Sequence, residues 1–112
     1  MSSIASVREF IDVSSQPAVR GFLHVPGTAN GRGLVLTHGA GANSQSKLLT
    51  SLASAFADTG FTVLRFDLPF RQQRRYGPPS PGSAATDRDG VRRAITVLRT
   101  HVTGHVYAGG HS

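Results

Sequence analysis

Apolar and polar positions alternate in short runs along this chain. Residues 7–13 (VREFIDV) and 18–25 (AVRGFLHV) both carry the two-residue period of a half-buried strand, and SSQP at 14–17 is a turn signal between them. So short a link predicts an antiparallel hairpin. Gly21, inside the second run, marks a candidate bulge. PGTANGRG at 26–33 is a loop, and GLVLTH at 33–38 is a compact apolar run suited to burial on both sheet faces. After the glycine-rich GAGANSQ, residues Leu48, Leu49, Leu52, Ala53 and Phe56 recur at helical spacing. Asn43, Ser44 and Ser46 can each cap the start of that helix, and Gly60 suits its end.

FTVLRFD at 61–67 is the next strand. Residues 68–83 (LPFRQQRRYGPPSPGS) read as a long loop, too rich in proline for a helix. Val91, Ala94, Ile95 and Leu98 form a second helical stripe, with Asp87 or Asp89 near its positive end and HVTG closing it. HVYAGG at 105–110 is a final apolar strand. The order β-β-β-α-β-α-β predicts an α/β fold, a mostly parallel sheet with right-handed crossover helices.

Length changes this picture little: 112 residues make one domain or a piece of one. The absence of cysteine excludes disulfides, cysteine nucleophiles and thiolate metal sites. No apolar run is long enough to span a bilayer, and the first ten residues lack the basic start and apolar stretch of a signal peptide. A cytoplasmic protein with no membrane partner is expected. The net charge is +6, and Lys47 is the one lysine among 12 basic residues. That balance permits acidic partners. One tyrosine beside the arginines of 71–76 is thin support for RNA binding, so nucleic acid is not the expected partner.

Two constellations carry chemistry. Gly110-His111-Ser112 follows a buried-looking strand and matches the first three positions of the nucleophile elbow G-x-S-x-G. A sharp strand-to-helix turn lifts the serine hydroxyl above the sheet. The residue two before the serine must then be nearly free of side chain, which Gly110 satisfies. Ser112 is the candidate nucleophile. His111, its neighbour on the turn, points elsewhere and is no base for it. His38-Gly39-Ala40-Gly41 lies between the third strand and the first helix. Its small residues let backbone approach a substrate carbonyl oxygen, with the Ala40 N–H as the oxyanion donor and Gly41 as a second candidate. His38 is expected to brace that loop.

The segments LVLTHGAGANSQS, FTVLRFDLPFRQQRR and VYAGGHS resemble the α/β-hydrolases. They are similar to a small dienelactone-hydrolase-like group related to the hydrolase-like domain of chromatin-complex NSL subunits. The resemblance runs from about Arg20 to Ser112. It implies an eight-strand α/β-hydrolase fold, a Ser-Asp/Glu-His triad in that chain order, and hydrolysis of an ester, thioester or related acyl bond. Some relatives serve as scaffolds without demonstrated catalysis. Residues 1–112 would be the N-terminal half of a single domain, its first five strands, with the triad acid, the histidine and the second oxyanion donor outside this chain. A complementary C-terminal segment or chain is therefore an expected partner, and these residues alone are expected to be inactive.

Other residues also have plainer roles open to them. Arg71, Arg74 and Arg75 follow the fourth strand at the rim that carries Ser112. They are candidates for an anionic group on a small acyl substrate, against a solvated or ion-paired loop. Asp67 can orient a nearby loop or pair with Arg65 or Arg71. His24 reads as structural. His101 and His105 have metal-ligand spacing, but Gly104 interrupts the helix between them, so no metal is expected. No cofactor is expected either. The rival readings are a non-catalytic hydrolase-like scaffold and a nucleotide-binding α/β domain. Against the latter, GAGANSQSK lacks a glycine before Lys47 and a serine or threonine after it.

Overall fold

A computed structural model describes residues 5–110 of the protein. The two N-terminal strands, β1 (Ser6–Asp12) and β2 (Val19–Val25), pair as the antiparallel hairpin that their alternation predicts. Then come β3 (Gly33–Thr37), α1 (Lys47–Asp58), β4 (Thr62–Phe66), a short α2 (Pro69–Gln73), α3 (Ala84–Arg99) and β5 (Val106–Gly110). One five-stranded sheet results, in the order β1-β2-β4-β3-β5. β3 pairs in parallel with both β4 and β5, and β2 joins β4 antiparallel.

Chain direction explains the layers. The crossover from β3 to β4 moves toward β1, whereas the one from β4 to β5 moves the other way. Crossovers of one hand in opposite directions put their helices on opposite faces. Accordingly α1 packs Leu49, Ala53 and Ala57 against Leu34, Leu36 and Val63. Ala94 and Leu98 of α3 pack against Val19, Leu23, Val35, Leu64 and Phe66. Alternate residues of β3 and β4 thus enter different cores, which is why both strands read as continuous apolar runs. β5 contributes Val106 to the α3 side, and Tyr107 remains about half exposed.

Three local readings are corrected. Residues 68–83 are not all loop: Pro69 opens α2, where a proline at the first helical position loses no hydrogen bond. Gly21 is not a bulge, since the β1–β2 register runs unbroken through Phe10 opposite Gly21. A Cβ there would collide with the backbone of Arg65 and Phe66, so close approach of strands is what requires glycine. On α1 the buried line is Leu49, Ala53 and Ala57, while Leu48, Leu52 and Phe56 stay partly exposed. Ser46 is the N-cap of the three candidates, its Oγ accepting from Leu49 N at 3.2 Å.

Candidate active site

β3 and β4 end side by side, with Thr37 opposite Phe66, and the chain then departs from them to opposite faces of the sheet. A crevice must open where neighbouring loops diverge at the carboxyl ends of parallel strands. A cleft of about 300 Å³ lies there, lined by Asn43, Gln45, Asp67, Arg71, Arg75 and Tyr76. On the other side of β3, Thr37 is also the partner of Gly110, so the end of β5 reaches the same rim. A Cβ on Gly110 would strike the Thr37 hydroxyl, which gives the glycine before the expected elbow a packing reason. His111 and Ser112 lie outside the described residues.

The loop after β3 is held from behind. Buried His38 donates from Nδ1 to Gly39 O at 2.7 Å and accepts the Leu68 N–H at Nε2, 3.1 Å away. Since Nε2 accepts, the proton sits on Nδ1. The ring thereby ties the β3 loop to the β4 loop, and it stands edge-on to Phe70. Ala42 N–H closes a turn onto Gly39 O at 3.1 Å. The N–H groups of Ala40 and Gly41 have no hydrogen-bond partner among the described residues, and both residues are exposed.

The arginines divide. Arg74 and Arg75 are exposed, with Arg74 bonded to Ser80 Oγ at 3.1 Å. Arg71 is not the solvated loop residue that its Arg-rich context suggests. It is 7% exposed, lies over the Phe70 ring, and gives its protons to the backbone oxygens of Ala40, Ala42, Arg74 and Gly77 at 2.7–2.9 Å. Few donors are left for a ligand. A single arginine in an Arg-rich loop carries no sign in sequence that it will turn inward; α2, also unforeseen, is what aims it there.

Asp67 takes the loop-orienting role: its Oδ1 accepts the Ser44 N–H at 2.8 Å. Ser44 O in turn accepts from Arg65 Nη1 at 2.8 Å, and Arg65 Nε donates to His24 Nε2 at 2.8 Å. Burial, and then the Arg65 charge, push the His24 imidazole down to about 4. Burial also lowers Arg65 from its ordinary value, partly offset by the Asp67 charge. Ser44 Oγ is buried without a partner among the described residues. This network under the loop was legible only as the single aspartate at a strand end. His101 and His105 go separate ways, one edge-on to Phe10 and the other beside Tyr107.

Three solved structures are similar to this chain in fold. The fold is similar to that of dienelactone hydrolase from Anabaena variabilis, with a TM-score of 0.68 and 20% identity over 96% of this chain and 52% of that one. It is similar to the α/β hydrolase GrgF from Penicillium sp. sh18, at TM-score 0.61 and 22% identity over 96% of this chain and 37% of that one. Brefeldin A esterase, a bacterial homologue of human hormone-sensitive lipase, matches at TM-score 0.63 and 20% identity, over 98% of this chain and 32% of that one. The chain thus spans between a third and about half of each. No curated protein matches the sequence significantly. The family model described as "Alpha/beta hydrolase domain" matches residues 30–112, from the loop before β3 through the expected elbow, and the chain belongs to that family.

Proposed function

We propose that the protein is a cytoplasmic serine hydrolase of ester, thioester or related acyl bonds, using neither metal nor cofactor. Residues 1–112 form the front half of its domain. A downstream segment or chain pairs with the free edge of β5 and brings the triad acid and histidine. The greater length of the solved relatives supports this. So does β5, which has no second strand neighbour among the described residues.

One observation carries the reading. Two backbone N–H groups, on Ala40 and Gly41, without a partner among the described residues, stand at the rim that the glycine of a Gly-x-Ser sequence also reaches. In the proposed reaction Ser112 Oγ attacks the acyl carbonyl carbon while the downstream histidine takes its proton. The carbonyl electron pair moves onto oxygen, where the Ala40 N–H and the N–H following Ser112 hold it. Gly41 is the alternative donor on the loop. Collapse expels the alcohol or thiol, which leaves with the histidine's proton. Water, deprotonated by the same histidine, then releases the carboxylic acid and frees Ser112. Arg75, which lines the cleft, meets an anionic group on the acyl substrate, with its exposed neighbour Arg74 close by in the chain.

The test is hydrolysis of nitrophenyl esters and thioesters of graded acyl length by the protein expressed from its complete gene. Ser112→Ala is expected to lower kcat by at least about 1,000-fold at unchanged thermal stability. Equal turnover by the variant contradicts the proposal.

A further inference from the structure

We infer that Arg71 is a positioning residue that holds the oxyanion loop in its turn, aiming the Gly41 N–H directly and the Ala40 N–H through the turn that it anchors at Ala42; the inference rests on the acyl-hydrolase reading above. The peptide unit is planar and trans, so the direction of a carbonyl dictates that of the next N–H. Arg71 Nη2 draws the Ala40 carbonyl inward at 2.7 Å, which turns the Gly41 N–H the other way. Its Nε holds the Ala42 carbonyl at 2.9 Å, at the far end of the same turn. His38 and the Ala42 N–H fix the Gly39 carbonyl, and with it the Ala40 N–H. Both candidate donors are therefore aimed by groups behind them.

Without these contacts Gly39-Ala40-Gly41 is a segment of small residues with many accessible conformations. An oxyanion hole works by being organised before charge develops. The remaining bonds of Arg71 run to Arg74 O and Gly77 O, so the same guanidinium joins the oxyanion loop to the loop bearing Arg74 and Arg75. Lysine cannot replace it, because an ammonium lacks the planar fork that reaches carbonyls on several sides.

The experiment follows labelling by a fluorophosphonate in the protein expressed from its complete gene, with the amide nitrogen resonance of Gly41 recorded in parallel. Arg71→Ala is expected to slow the labelling step about 100-fold, the size of losing one oxyanion donor, with half-saturating probe concentration unchanged. Millimolar guanidinium chloride, but not sodium chloride at equal ionic strength, is expected to restore part of the rate. Arg71→Lys, which keeps charge and most of the volume, is expected to stay folded, label slowly and move the Gly41 resonance. Wild-type labelling in folded Arg71→Lys, an unmoved Gly41 resonance, or a loss in folded Arg71→Ala that guanidinium leaves untouched overturns the inference. A wild-type protein that does not label overturns the hydrolase reading instead, and the Gly41 resonance then decides alone whether Arg71 holds the loop.

Discussion

Arg65 brings a guanidinium onto the sheet face beneath the β3 loop, and the group against its Nε is an imidazole rather than a carboxylate. Only the neutral ring can accept that proton. With an ordinary value of 6.5 and a folded value of about 4, His24 stabilises the fold fully above pH 6.5. That contribution is lost as pH falls from 6.5 toward 4, because the unfolded chain binds the proton first. The loss amounts to about 3 kcal/mol. Urea unfolding at pH 7 and pH 4 measures it. His24→Gln, which keeps an acceptor but does not titrate, is expected to flatten most of the difference. His24→Ala is expected to be less stable by about 1–3 kcal/mol at pH 7, because a buried N–H of Arg65 loses its partner.

At the scale of elements, α3 sits against the start of α2 through a glycine. A Cβ on Gly90 would lie 2.6 Å from Pro69 Cδ and 2.7 Å from Cγ. Asp87, one turn earlier, caps α2 by accepting the Phe70 N–H at 3.0 Å. Two effects oppose each other in Gly90→Ala. Helix propensity favours alanine by about 1 kcal/mol, and overpacking opposes it by about 1–3 kcal/mol. The proline is a rigid ring on a short helix, so overpacking wins. The variant is expected to have a lower urea midpoint, whereas Arg88→Ala, at an exposed position of the same helix, is expected to leave it nearly unchanged. The helices α1 and α3 were legible in the sequence because each buries a periodic apolar face, and β3 and β4 because burial on both sides makes them continuous apolar runs. Pro69–Gln73 was not, because five residues make too short a period to register. The inward turn of Arg71 was hidden with it. Its partners are backbone carbonyls, which leave no trace in residue identity.

The whole molecule places chemistry where strand direction changes the side to which loops depart. β3 is flanked by β4 and β5 in parallel, and all three deliver their carboxyl ends to one rim. At that rim the turn at 38–41 was legible from glycine and alanine following an apolar strand, as was the Gly110 position at the end of another. What stands around them, the cleft and the His38 and Arg71 braces, depends on contacts between segments about 30 residues apart, such as Arg71 with Ala40. Tyr107 and Phe56 remain partly exposed on the β5 side, each beside Phe61. Under the proposal, the downstream half of the domain covers them.

The most direct test of the central claim is a crystal structure of the fluorophosphonate adduct of the protein expressed from its complete gene. The account predicts phosphorus bonded to Ser112 Oγ, with the phosphonyl oxygen about 2.7–3.1 Å from the Ala40 amide nitrogen. Phosphorus on another residue, or a phosphonyl oxygen turned away from the 38–41 loop, would contradict it.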